Sequence, residues 1–155
     1  MRRAQLADVP TMAALERQAF SVHQIGSLAF RRFLARESAL VLVCERGQEV
    51  LGHAVVLFRA RSKVARLYSI AVQPAERGRG TGRALLTAVI EQARARGLST
   101  LSLEVRALDG PVLSFYERFG FCFKERLPGY YDDGAEAVRL VLELKQRERP
   151  LRRAS

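Results

Sequence analysis

Residues Tyr68 to Arg83 read Tyr-Ser-Ile-Ala-Val-Gln-Pro-Ala-Glu-Arg-Gly-Arg-Gly-Thr-Gly-Arg. An apolar strand runs into a glycine-rich turn, and the turn opens a helix. Gly78, Gly80 and Gly82 are interleaved with Arg77, Arg79, Thr81 and Arg83. Glycine lets a backbone bend sharply and lie close against a ligand. A helix that starts here, over about Gly82–Arg96, aims its unpaired N–H groups and positive dipole end back at the turn. The junction is an anion site of a size that suits a pyrophosphate.

Two familiar phosphate loops do not match. A P-loop places Lys-Ser or Lys-Thr after its last glycine, whereas Gly82 is followed by Arg83-Ala84. The dinucleotide spacing G-x-G-x-x-G is also absent, because these glycines run G-x-G-x-G. A flexible basic surface loop is the competing reading of this stretch alone.

The 155 residues suit one domain with a core of its own. No apolar run approaches the ~20 residues of a membrane-spanning helix, and Met1–Gln5 lacks the apolar stretch of a signal peptide. Cys44 and Cys122 sit in apolar, strand-like runs without C-x-x-C spacing, so both are expected to be buried free thiols of a reducing cytoplasm. His23 and His53 make no zinc-binding pattern, and no metal is expected. Net charge is +10, carried by arginine apart from Lys63, Lys124 and Lys145. Such a surface attracts polyanions, RNA and ribosomes among them. Arginine-rich codon usage explains the same excess without any partner, and no RNA-binding signature accompanies it.

Hydrophobic periodicity divides the chain into alternating elements. Arg3–Gln5 reads as a short strand. Asp8 is placed to cap a helix running to about Phe20, with Met12, Leu15 and Ala19 facing inward, and a second helix spans Ser27–Arg36. Strands Ala39–Glu45 and Glu49–Arg59 form a hairpin, and Val64–Val72 leads into the glycine turn. The following helix carries Leu85, Leu86, Val89, Ile90 and Ala93 on one stripe. Leu101, Leu103 and Val105 alternate with polar residues, Pro111 starts a short helix through Phe119, and Phe121–Arg126 and Ala137–Lys145 read as a last strand pair. The expected fold is α+β, with a mixed, mostly antiparallel sheet flanked by helices.

Three stretches in order carry a family likeness: Arg77–Gly82, Leu103-Glu104-Val105-Arg106, and Tyr116-Glu117-Arg118-Phe119-Gly120-Phe121. The first resembles the acetyl-CoA loop Q/R-x-x-G-x-G/A of the GNAT acetyltransferases. The other two resemble the subgroup that acetylates the N-terminal alanines of ribosomal proteins. The likeness covers roughly residues 3–145. It implies a single GNAT domain over 1–145, followed by a basic tail over 146–155. It implies that Arg77, Gly78, Arg79, Gly80, Thr81, Gly82 and Arg83 hold acetyl-CoA, and that the backbone of Ile70, Ala71 and Val72 pairs with its pantetheine arm. It assigns Glu104 as general base and Tyr116 as general acid, and likens Pro128–Gly134 to a tyrosine-bearing substrate loop. In that loop Tyr130 or Tyr131 would grip a peptide backbone, and Asp132 or Asp133 would attract an ammonium group; a turn with exposed aromatics is the other reading.

Elementary chemistry agrees with these roles. Glu104 points opposite to Leu103 and Val105, and a central carboxylate between helix-covered faces is expected to be desolvated and raised in pKa. The other reading is a salt bridge with Arg106. Tyr116 shares a stripe with Val112, Phe115 and Phe119, which also fits a plain core aromatic. Asp109 stands where the family usually has asparagine. An ionised aspartate cannot donate to a cofactor, so capping the next helix is its alternative role.

Deprotonating an N-terminal α-amine, with pKa about 7.7–8.0, costs about 1 kcal/mol at pH 7, against about 4–5 kcal/mol for a lysine. The expected function is therefore cytoplasmic acetyl transfer to an amine, with a protein N-terminus favoured. Small amines, lysines, or a non-catalytic CoA-sensing or RNA-binding role are the alternatives.

Overall fold

The computed structural model describes residues 1–145; the tail expected over 146–155 lies outside the described residues. Seven strands form one sheet: β1 (Arg2–Arg3), β2 (Ala39–Arg46), β3 (Glu49–Phe58), β4 (Val64–Val72), β5 (Thr100–Arg106), β6 (Cys122–Leu127) and β7 (Ala137–Glu143). Their order across the sheet is β1-β2-β3-β4-β5-β7-β6, antiparallel at every step except β4–β5. The parallel step follows from the crossover: α3 (Thr81–Ala95) carries the chain from the end of β4 back to the start of β5.

Each face of the sheet has its own core. Leu85, Leu86, Val89, Ile90 and Ala93 of α3 pack on Leu40, Leu42, Ala54, Val56, Ala65, Leu67, Leu101 and Leu103, and α4 (Gly110–Arg118) adds Tyr116. The opposite face is covered by α1 (Val9–Ala19) and α2 (Ser27–Leu34), whose Met12, Leu15 and Phe30 pack on Val41, Val43, Val50, Val55 and Ala71. The expected stripe on α3 is the buried one, and α2 is two residues shorter than expected. Asp8 precedes α1, but its carboxylate does not cap that helix. It turns back to accept from the Gln5 N–H (2.7 Å) and from both terminal nitrogens of Arg2 (2.8 Å each).

One irregularity positions everything that follows. Between the pairs Val56↔Leu67 and Val55↔Ser69, Tyr68 is an extra residue on β4. A one-residue slip exchanges the two faces of a strand. Before the bulge, Ala65 and Leu67 face the α3 core; after it, Ile70 and Val72 do, while Ser69 and Ala71 turn toward α1.

Candidate active site

The glycine turn takes the conformation its sequence requires. After a 3₁₀ turn at Pro74–Glu76, Gly78 (φ 76°) and Gly80 (φ 91°) are left-handed, and Gly80 is the N-cap of α3. Side chains other than glycine rarely adopt such angles. The first N–H groups of α3, on Thr81, Gly82 and Arg83, have no carbonyl one turn earlier. A Cβ built on Gly78 or Gly80 meets nothing within 4 Å, so the outer side of the loop is open. Donors, dipole and open space together fit a pyrophosphate.

Beneath the loop lies a residue that sequence reading missed. Glu76 is buried, and its Oε2 accepts from Arg46 (2.9 Å) and from the Thr81 hydroxyl (3.3 Å). Thr81 therefore turns its side chain inward and offers the ligand only its N–H. A single acid among arginines was the one available hint at Glu76.

Beside the loop the sheet opens. β4 and β5 pair only at Val64↔Thr100, Ala65↔Leu101 and Arg66↔Ser102; past these the strands part. Among the described residues, no strand pairs with the edge of β4 that faces away from β3 from Tyr68 to Val72. Ile70, Ala71 and Val72 pair with Ala54, His53 and Gly52 on the other side. An exposed strand edge of this kind pairs readily with an amide-bearing ligand. Gly52 keeps the region compact: a Cβ there would lie 2.8 Å from the Ala71 carbonyl oxygen.

Glu104 lines the gap on the α1 side. Its side chain is 7% exposed, and both oxygens are engaged. Arg66 Nε donates to Oε2 at 3.0 Å, and Arg139 Nε to Oε1 at 3.2 Å. Arg139 also pairs with Glu125. This corrects the expectation of a carboxylate isolated by burial, and the ion-pair partners are Arg66 and Arg139 instead of Arg106. Arg106 turns to Asp133 (2.9 Å).

The loop between β6 and β7 closes over this group. Arg66 donates to the Tyr130 hydroxyl oxygen (2.8 Å), Arg106 lies over the Tyr131 ring (4.5 Å), and the two tyrosine rings meet edge to face. His23, from the α1–α2 connection, packs on Tyr131 (5.4 Å). Partial burial pushes the Tyr131 phenol up from its ordinary value. Asp132 projects into solvent, its side chain 89% exposed, with only His23 nearby at 4.0 Å. The structure thus brings Glu104, Tyr130 and Tyr131 together and leaves Asp132 at the rim.

Tyr116 lies on the other face of β5, in the α3–α4 core. It is packed edge to face on Phe115 and Phe121. Burial pushes its phenol well above the ordinary value, so it holds its proton at every physiological pH. Asp109 accepts from the Val112 N–H at 3.2 Å and caps α4, the alternative its sequence offered.

Behind the gap, sequence reading missed a buried polar cluster. Glu16 of α1, fully buried, accepts from His53 Nε2 (2.8 Å), the Ser69 hydroxyl (2.6 Å) and the Ile25 N–H (3.3 Å). Nothing in the α1 stripe distinguishes Glu16 from a solvated charge. The tertiary partners come from β3, from β4 after its bulge, and from the connection that carries His23. The thiols also depart from expectation: Cys44 is half-buried, and Cys122 is exposed because β6 is an edge strand. Among the described residues no group of three or more His, Cys, Asp or Glu side chains is placed to hold a metal.

A family model described as Acetyltransferase (GNAT) family matches residues 9–121. The chain belongs to the GNAT acetyltransferase family. It is 42% identical over 74 residues to the [ribosomal protein bS18]-alanine N-acetyltransferase of Escherichia coli K12, a stretch covering 46% of this chain and 50% of that protein. It is 32% identical over 119 residues to the mycothiol acetyltransferase of Streptomyces avermitilis, covering 72% of this chain and 39% of that one. The chain therefore spans half or less of the length of these curated relatives. Over whole chains, the crystal structure of the ribosomal-protein-S18-alanine N-acetyltransferase from Escherichia coli superposes with a TM-score of 0.83 at 27% identity, covering 97% of each. The α+β GNAT fold expected from the sequence is the one observed. In GNAT terms, the glycine turn and the parted strands fit acetyl-CoA by their own geometry, with Glu104 joined through Arg66 to Tyr130 on one face of the sheet and Tyr116 buried on the other.

Proposed function

We propose that this protein transfers the acetyl group of acetyl-CoA directly to a primary amine, and that the favoured acceptor is a protein N-terminal α-amine. The observation that carries this reading is the gap between β4 and β5. The glycine turn lies beyond the end of β4, an unpaired β4 edge borders the gap, and the Glu104 carboxylate lies beside it. When bound, acetyl-CoA supplies an acyl group already activated as a thioester.

The roles of this chain's residues follow from that arrangement. N–H groups of Gly78 to Arg83, with Arg77, Arg79 and Arg83, neutralise the phosphates. The free edge of Ile70–Val72 aligns the pantetheine amides. Glu104 accepts the proton of the attacking amine, directly or through one water. To do so it exchanges a bond from Arg66 or Arg139, both of which remain partly exposed and free to shift. Tyr116, whose phenol stays protonated, donates to the departing sulfur. The Tyr130–Tyr131 loop holds the acceptor's first residues. The small proton cost of an α-amine suits one ion-paired carboxylate better than a lysine would. The named activity of the Escherichia coli relative supports the same acceptor class. The unpaired cysteines fit a cytoplasmic setting.

The deciding experiment offers three acceptors with acetyl-CoA: a peptide with a free N-terminus, an N-blocked peptide containing lysine, and a panel of small amines. Mass spectrometry is expected to find acetyl on the first N-terminus. Acetyl mainly on lysine, or on small amines with no peptide product, rejects the N-terminal reading and leaves the acetyl-CoA assignment standing.

A further inference from the structure

The end of the molecule opposite the glycine turn collects cations that make no salt bridge among the described residues. Here β3 ends, β4 and β5 begin, and α2 and α3 finish. A groove of about 480 Å³ lies between α2 and the β1–β2 edge, lined by Arg3, Arg36, Arg96, Phe33 and Glu37 among others. Arg96 also lies over the Phe58 ring at 4.0 Å, which joins the groove to the β3–β4 turn carrying Arg59, Arg61 and Lys63. The Lys63 carbonyl accepts from Ser99 and Thr100, so that turn is fastened beside the end of α3.

The ion pairs are elsewhere. Among the described residues, the salt bridges of this chain use Arg2, Arg46, Arg66, Arg106, Arg126 and Arg139, together with the two histidines. None uses Arg3, Arg36, Arg59, Arg61, Lys63 or Arg96. Acids pair with arginines around Glu104 and along the outer strands, whereas this pole gathers six cations outside those pairs, as the glycine turn gathers Arg77, Arg79 and Arg83.

We propose that this pole is a binding surface for single-stranded RNA. Arginine outnumbers lysine there five to one, and its planar fork engages phosphate bidentately. The groove runs between a helix and a sheet edge, and a single extended strand is the form of nucleic acid assigned to it. Glu37, an exposed acceptor in the same groove, can take a hydrogen bond from a ribose 2′-hydroxyl, which DNA lacks. A membrane surface fits poorly, since among the described residues of this end Val64 is the exposed large apolar one. β4 runs nine residues from this pole to the glycine turn, roughly 25–30 Å at ~3.3 Å per residue. RNA held here leaves the acetyl-CoA site open.

The test is fluorescence anisotropy with a labelled 20-nucleotide uridine RNA in 50–200 mM NaCl. Wild-type protein is expected to bind, with log affinity falling by ~0.7 per phosphate contact for each unit of log salt. The exposed-residue variant Arg36→Glu/Arg61→Glu/Lys63→Glu should bind at least tenfold more weakly, at a salt slope smaller by about 2, that is three contacts at ~0.7 each. Its melting temperature and acetyl transfer to a short peptide should be unchanged. Should that triple variant melt early, Arg61→Gln alone is read for the slope. Saturating CoA should leave RNA affinity unaltered. The proposal is overturned by absent binding at 50 mM salt, by wild-type affinity in the folded variants, or by displacement with CoA, which would move the contact to Arg77, Arg79 and Arg83. Equal affinity for the same length of DNA, or tighter binding to polyglutamate or anionic vesicles, overturns the RNA assignment. None of these outcomes bears on the acetyltransferase reading, which the peptide assay decides separately.

Discussion

The guanidinium of Arg66 donates to the Glu104 carboxylate at 3.0 Å, and its other arm donates to the Tyr130 hydroxyl at 2.8 Å. One residue of β4 therefore couples the proposed base on β5 to the loop proposed to hold the acceptor. Arg66→Met should raise the KM for a peptide acceptor more than it lowers kcat. Because the Arg66 side chain is 40% exposed, stability should change by less than about 1 kcal/mol. Steady-state kinetics beside a thermal melt checks both. Equal KM values in wild type and variant would disconnect Arg66 from the acceptor.

Glu104→Gln keeps the shape of the side chain and removes its capacity to take a proton. Turnover is expected to fall by about 10²–10⁴-fold, and Tyr116→Phe to slow thiol release within the same range. Thiol release measured with a dye, at saturating acceptor, is the readout. Wild-type rates in both variants would remove both residues from the chemistry.

The glycine turn separates fold from ligand binding. Gly80→Ala forces a side chain into φ 91° and should cost about 1–2 kcal/mol of stability. Gly82 has no such angle, and a Cβ there meets only Val72 and Phe115 at 3.7 and 3.8 Å. Gly82→Val should therefore fold, yet bind acetyl-CoA at least about tenfold more weakly, a loss of roughly 1.4 kcal/mol. Calorimetric titration decides, and full affinity in this variant would refute the assignment of the loop.

Glu16 and His53 form a buried pair, and removing one partner strands the other. Glu16→Ala should lose about 3–5 kcal/mol, a drop of roughly 10 °C or more in melting temperature. The double variant Glu16→Leu/His53→Leu should recover part of that loss, since two apolar side chains leave fewer buried polar groups unmatched. A double variant that adds the two single losses would show that the pair is not energetically coupled.

Asp8 titrates below its ordinary 3.8, first because Arg2 hydrogen-bonds to it and then because the Gln5 N–H does. A depressed folded value means the stabilisation is complete above the unfolded pKa and disappears as pH falls through the folded one. Asp8→Asn should melt lower than wild type at pH 7, and the gap should close below about pH 4. A gap independent of pH would locate the effect in packing and not in charge.

By itself the sequence determined the elements and one end of the site. The α3 stripe Leu85–Ala93, the alternation of Leu101, Leu103 and Val105, and the glycines before α3 are local patterns, each written in residues a few positions apart. Gly78 and Gly80 take the left-handed angles that their residue type announces. What the sequence left open depends on contacts across the sheet. Glu104 meets Arg66 and Arg139, which are 38 and 35 residues away, and no spacing rule selects them over neighbouring Arg106. Glu16 and Glu76 carry no local mark of burial; His53, Ser69, Thr81 and Arg46 close around them only in the folded chain. The bulge at Tyr68 leaves no local signature, because an extra residue is defined only by the partner strand it fails to match. Its consequence is nonlocal as well. It turns Ser69 toward Glu16 and Ile70 toward the α3 core, so tertiary pairing, and not the alternation of β4 alone, decides which side chains border the gap.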